Sequence, residues 1–137
     1  MEQYIETIAH LQTTRRVASI SDIADGASVS RPAASRAVRD LADKDLVEHQ
    51  SYGYVVLTPR GEALARKLEA RHDKLYRFFT SVLGFDEATA DAEACRLEHQ
   101  VDDEFAKRIA ELASFFSKNE KAKAEWEQYV ERLRHES

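Results

Sequence analysis

The sequence predicts a mostly α-helical chain with one short β-hairpin, and three observations carry that expectation. Apolar residues recur at helical spacing along most of the 137 residues. Only one stretch, YVVL at 54–57, turns β-branched and aromatic, with SYG before it as a turn. Four glycines and two prolines are too few for the many turns of an all-β fold.

Taken in order, EQYIETIAHLQ (2–12) places Tyr4, Ile5, Ile8 and Leu11 on one helical face, with Glu2 at the positive N-terminal end. ASISDIADGASVSRPAASRAVRDLADKDLV (18–47) reads as two short helices joined by a tight turn at Ser28 and Val29. Ser21 is the expected cap of the first. Ser30 caps the second, and Pro32 falls in its first turn, where a missing N–H costs nothing. A two-stranded hairpin follows over 47–58. Pro59 then opens a long helix through Leu64, Leu68, Leu75, Phe78, Phe79 and Val82, ended by Gly84, with Gly61 cheaply tolerated in its first turn. Asp86 caps at least one helix running through Cys95 to Leu112. The segment NEKAKAEWEQYVERLRHE suggests a short last helix with Trp126, Tyr129, Val130 and Leu133 on one face. The expected division is 1–71 and 72–137.

Composition narrows the function classes. A single cysteine excludes an internal disulfide framework and points to a reducing, cytoplasmic setting. No apolar run is long enough to span a bilayer, and no basic-then-apolar leader is present, so neither membrane nor export is expected. The net charge of −5 hides an asymmetry: residues 14–77 carry 12 Lys/Arg against 9 Asp/Glu, and the remainder 8 against 16. One segment suits phosphates and the other suits cations.

A helix, a helix–turn–helix and a hairpin, in that order, make a winged helix–turn–helix module. The major groove of DNA admits one helix and is read near that helix's N-terminus. Here that region offers Ser30, Arg31, Pro32, Ser35 and Arg36, among alanines small enough for close approach. Arg36 suits a guanine edge. Arg39 is better placed for a phosphate, as are Arg15, Arg16 and Arg60, and Tyr52 at the hairpin tip is the natural wing contact. Double-stranded DNA is therefore the expected partner, read by a homodimer over two half-sites. The plainer reading of 30–41 is an alanine-rich packing helix with a solvated arginine side.

EACRLEH (93–99) sets Cys95, Glu98 and His99 at i, i+3 and i+4. Thiolate, carboxylate and imidazole together suit a borderline divalent ion and not Ca(II) or Mg(II). Glu6 and His72 are further candidates, each a polar residue in an otherwise apolar helical setting. Alone, each also reads as an ordinary surface or hydrogen-bonded side chain, and Cys95 as a small hydrophobe. Cysteine-protease chemistry lacks an orienting group and an oxyanion loop, and structural zinc lacks a second thiolate. No enzyme activity and no small organic substrate are expected.

These motifs together resemble the diphtheria-toxin-repressor family of metal-dependent transcription regulators. EQYIETI, SRPAASRAV, RHDKL and EACRLEH carry the resemblance, which covers essentially the whole chain. The length is similar to the short manganese transport regulators, which lack the SH3-like third domain. The resemblance implies ligands at Cys95, Glu98 and His99, with Glu6 and His72 contributing to an adjacent site. Gln3 stands where the family places another ligand, a carboxylate in the manganese branch and a methionine in the iron branch. Cys95 follows the iron branch, whereas Glu6 with His72 follows the manganese branch. Tyr76 and Asp91 replace a glutamate and a histidine of the iron branch's ancillary site. The implied co-repressor is Fe(II) or Mn(II), with Fe(II) slightly favoured on ligand softness; Co(II), Ni(II) or Zn(II) are substitutes in vitro. The implied activity is repression at operator DNA, controlling metal homeostasis. Two other readings stay open: a winged-helix regulator sensing a non-metal effector, and a non-DNA interaction module.

Overall fold

The amphipathic start of the chain becomes α1 (Glu2–Arg15), whose Ile5 and Ile8 are fully buried. Such burial contributes about 1.5–3 kcal/mol per side chain. In the computed structural model, residues 1–15, 17–50 and 52–136 are described, so the expected roles of Arg16 and of Ser51 in the hairpin turn lie outside the described residues. The chain divides into two compact units, Met1–Glu69 and Ala70–Ser137.

In the first unit, α1 is followed by β1 (Ala18–Ser19), α2 (Ile20–Ala27), α3 (Arg31–Asp43), β2 (Val47–His49) and β3 (Tyr54–Leu57). The cap of α2 is Ser19 and not Ser21. Ser19 accepts from the Asp22 N–H while the Asp22 carboxylate accepts from the Ser19 N–H, a capping box two residues earlier than the sequence suggested. Ser28 ends α2 in the left-handed conformation at φ 57°, and Ser30 caps α3 by accepting from the Ala33 N–H. Ile23, Ala34, Val38, Leu41, Val55 and Leu68 close the core over Ile5 and Ile8.

The expected two-stranded hairpin is a three-stranded antiparallel sheet of order β1-β3-β2. The register pairs Val47 with Leu57 and His49 with Val55 on one side of β3, and Ala18 with Val55 on the other. Two residues of β1 carry no periodic signal, so only pairing with β3 makes them a strand. They are also too short to cover all of β3. Gln12 of α1 supplies the missing acceptor, its Oε1 taking the Leu57 N–H at 3.0 Å.

The helix α4 (Pro59–Ser81) begins in the first unit and continues into the second. Its Gly61 is a requirement and not a tolerated guest: a Cβ there would lie 2.0 Å from the Leu46 carbonyl oxygen. Thr58 fixes this corner, its hydroxyl donating to the Asp45 carbonyl and accepting the Gly61 N–H.

In the second unit, Leu75 and Phe79 of α4 pack on Ala90 and Ala94 of α5 (Glu87–Leu97), which Asp86 caps. Beyond Leu97 the sequence suggested continued helix to Leu112. Instead the chain turns over 98–102, and Asp102 caps a new helix, α6 (Asp103–Lys118), by accepting from the Phe105 N–H. Asn119 then starts α7 (Glu120–Glu136), and Trp126 donates its indole N–H to the Val82 carbonyl. Among the described residues there is no SH3-like barrel, and no helix is long and apolar enough to cross a membrane.

Two stability outcomes follow. Gly61→Ala would gain helix propensity of about 0.5–1 kcal/mol were the site free. The clash with Leu46 should instead lower stability by about 1–3 kcal/mol, read by thermal melting. The Asp22 carboxyl is held below its ordinary value of 3.8, chiefly by the Ser19 N–H, then by the Ser19 hydroxyl and by attraction to Arg15. A lowered folded pKa contributes stability above the ordinary value that is lost as pH falls through the folded one. Asp22→Asn should therefore melt lower than wild type at neutral pH, and the gap should close as pH falls below the ordinary carboxylate range.

Candidate metal centre and nucleic-acid interface

The four residues of the second unit that the sequence singled out come together. His72 is on α4, Cys95 on the last turn of α5, Glu98 at its C-cap, and His99 in the turn that follows. His72 Nδ1 lies 2.7 Å from Glu98 Oε2 and 3.9 Å from Cys95 Sγ. One donor atom each from His72, Cys95 and Glu98 fall within 4.8 Å of one another. His99 Nε2 approaches Glu98 Oε1 at 3.3 Å.

Glu98 is the distinctive residue. Its side chain is 1% exposed, beside an imidazole that is 20% exposed and an exposed thiol. A carboxylate is stable in such burial only with partners for both oxygens. Oε2 has His72, but Oε1 has no hydrogen-bond partner among the described residues, His99 standing close but outside hydrogen-bonding geometry. A buried, under-partnered carboxylate oxygen beside imidazole nitrogen and thiol sulfur fits a borderline divalent cation.

Two further residues hold this arrangement: Arg71, which sequence reasoning passed over, and Asp91, which it considered only as a possible ligand of an ancillary ion. Arg71 donates from one guanidinium nitrogen to the Glu98 carbonyl at 2.7 Å and from another to Asp103 at 3.0 Å. It thereby ties α4 to the end of α5 and the start of α6, with 11% of its side chain exposed. Asp91 accepts from His72 Nε2 at 3.0 Å. The signal for Asp91 was present: it precedes Cys95 by four and Glu98 by seven, on one helix face. Glu6 and Gln3 sit on α1 in the first unit, Glu6 half-buried and Gln3 exposed. The Gln3 carbonyl already accepts the Thr7 hydroxyl at 3.0 Å, so its amide side chain is the better donor.

The first unit presents α3. Ser30, Arg31, Pro32, Arg36 and Arg39 are exposed and Ser35 is half-buried, while Ala34, Val38 and Leu41 face inward. Arg36 and Arg39, three apart, share the outer face. Arg31 donates to the Ser21 hydroxyl at 3.0 Å, which restrains it beside the N-terminus of α2. Arg15 pairs with Asp22, so it reaches a phosphate only by giving up that contact. Tyr52, 90% exposed at the hairpin tip, sits beside Gly53 at φ 80°.

The aromatic residues of α4 and α6 divide between core and surface. Phe79 fills the second core and Phe78 packs against it. Phe105, Leu112 and Phe115 of α6 stay exposed, and Phe116 lies against Trp126.

Two family models match the chain: "Iron dependent repressor, N-terminal DNA binding domain" over residues 1–55 and "Iron dependent repressor, metal binding and dimerisation domain" over residues 58–127. The HTH-type transcriptional regulator MntR of Bacillus pumilus (strain SAFR-032) is 29% identical over 120 residues, 88% of this chain and 83% of that protein. A solved manganese-dependent transcriptional repressor in complex with manganese superposes with a TM-score of 0.75 at 32% identity, over 83% of this chain and 52% of that one. The manganese regulator SloR gives 0.71 at 32% identity, over 83% and 53%. The chain thus spans about half the length of these two solved structures.

Removing Arg71 tests the scaffold apart from any ligand. Arg71→Ala deletes charge-assisted hydrogen bonds worth about 1.5–3 kcal/mol each and leaves the Glu98 carbonyl short of a partner. Denaturant titration should show a loss of about 2–3 kcal/mol.

Proposed function

Because the chain belongs to the iron dependent repressor family, we propose that it is a repressor that binds operator DNA as a homodimer when loaded with Fe(II) or Mn(II). In this reading residues 1–71 read DNA and residues 72–137 bind metal and dimerise, in the cytoplasm, in the service of metal homeostasis. The observation that carries it is Glu98, a carboxylate withdrawn from water whose Oε1 has no hydrogen-bond partner among the described residues, beside His72 and Cys95. His72, Cys95, Glu98 and His99 are the proposed ligands. Glu6 and Gln3 of α1 complete the set, supported by the correspondence of EQYIETI to the family. When bound, the ion supplies positive charge that the buried carboxylate and the thiolate neutralise. Cys95 makes the set softer than an all-oxygen one and favours Fe(II) over Mn(II).

Ser30, Arg31, Pro32, Ser35 and Arg36 would meet base edges or the adjacent backbone, Arg39 a phosphate, and Tyr52 the wing's side of the duplex. The exposed Phe105, Leu112 and Phe115 of α6 support a second copy as the dimer partner. Metal and DNA binding are linked reciprocally: a coupling of about 1–3 kcal/mol raises DNA affinity roughly 5–150-fold on metal loading, and metal affinity on DNA binding by the same factor.

The test is DNA binding by anaerobically prepared protein titrated separately with Fe(II), Mn(II), Co(II) and Zn(II), on duplexes selected from a random-sequence pool. Wild type should bind metal-dependently, with a steep fall in affinity as salt rises. Glu98→Gln should fold, dimerise and lose the metal dependence. A Glu98→Gln protein with the wild-type metal midpoint would overturn the site. Wild type that takes up none of these ions would overturn the function.

A further inference from the structure

A neutral imidazole offers a lone pair from only one of its nitrogens, and the partner of the other decides which. The two nitrogens of His72 face different surroundings. Nδ1 looks toward Glu98 and Cys95, the proposed ligand cluster. Nε2 looks away from it, to Asp91 Oδ1 at 3.0 Å. Asp91 lies one helical turn before Cys95 on α5, and Tyr76, one turn after His72 on α4, stacks on the imidazole at an interplanar angle of 14°. The ring is therefore held at one edge by a carboxylate and over one face by an aromatic ring. Asp91 itself is 63% exposed, on the rim of an open hollow lined by Asp73, Tyr76, Glu87 and Ala88.

We propose that Asp91 is a positioning residue of the metal centre, acting through His72 and not on the ion. Accepting the Nε2 proton keeps that proton on the outer nitrogen and leaves the Nδ1 lone pair directed at the ion. It also makes the imidazole a more basic donor and stops the ring from turning over. Carboxylate partners of metal-bound histidines are typically worth about 10–100-fold in metal affinity. The sequence offered Asp91 as a possible ligand of an ancillary ion, but the geometry gives its near oxygen to His72. This inference rests on the assignment of His72, Cys95 and Glu98 to a metal site.

The test uses the full chain, with Asp91→Ala and Asp91→Asn beside wild type and Glu98→Gln. Free Mn(II) is followed by electron paramagnetic resonance, and the histidine nitrogens of the Zn(II)-loaded protein by long-range proton–nitrogen NMR. Asp91→Ala should weaken Mn(II) binding by about 10–100-fold at unchanged stoichiometry, while Asp91→Asn, which keeps an acceptor oxygen, recovers most of it. Wild type should show His72 protonated at Nε2, and in Asp91→Ala that proton should be lost to solvent exchange. Because Asp91 is exposed, both variants should melt near wild type, separating positioning from folding. Unchanged Mn(II) affinity in Asp91→Ala, a His72 protonated at Nδ1 in the loaded protein, or one ion fewer per chain would each overturn the proposal. Wild type that binds no Mn(II), or binds it undiminished in Glu98→Gln, would instead overturn the underlying site.

Discussion

The burial of the Glu98 carboxylate is the constraint around which the second unit is arranged. An ionised group out of water must be met by opposite charge or by donors on both oxygens. His72 answers one oxygen and His99 stands near the other. Meeting that demand fixes much else. Glu98 must sit at the end of α5 and not within it, the chain must turn at once, and the turn must be pinned. Arg71 does the pinning from the same helix that presents His72, so one stretch of α4 supplies both the partner of the carboxylate and the restraint on its backbone.

The first unit answers to shape more than to charge. Leu46, Thr58 and Gly61 meet at one close-packed corner, where α4 starts against the Leu46 carbonyl with no room for a Cβ. The central strand β3 draws partners from β1, β2 and the side chain of Gln12, three separate pieces of sequence. A sheet this small depends on such matched donors, and Gln12 matches the Leu57 N–H.

The helices were legible in the sequence wherever apolar residues kept the 3.6 period: α1, α3, α4 and α7 all carry that signature. So was the Cys95–Glu98–His99 spacing, which needs only local geometry. What escaped was non-local or sub-periodic. β1 is two residues long and exists through pairing with β3. The Ser19 cap was passed over for Ser21, although Asp22 three residues on completes the box. The break after Leu97 was hidden because residues beyond it keep helical composition, and only the Asp102 cap marks the restart. Gly61 looked cheap because nothing in a sequence reports the nearness of a carbonyl from another element. The link from Arg71 to Glu98 and that from Asp91 to His72 went unread for a related reason. Charged residues on helices are usually solvated, and these partners lie 19 and 27 residues away in the chain.

Exposure falls steeply across the cluster, from Asp91 and Cys95 at the surface to Glu98 in the interior. Folding therefore constrains these positions unequally. An exposed helical residue can be exchanged within about 0.5 kcal/mol, whereas a buried carboxylate cannot be dropped without repacking its neighbours. In the proposed metal site, the softness of the ligands and the strength of the outer carboxylate can thus drift by single substitutions while the anchor stays put. A lineage built on this scaffold could change the metal it answers to without passing through an unfolded intermediate.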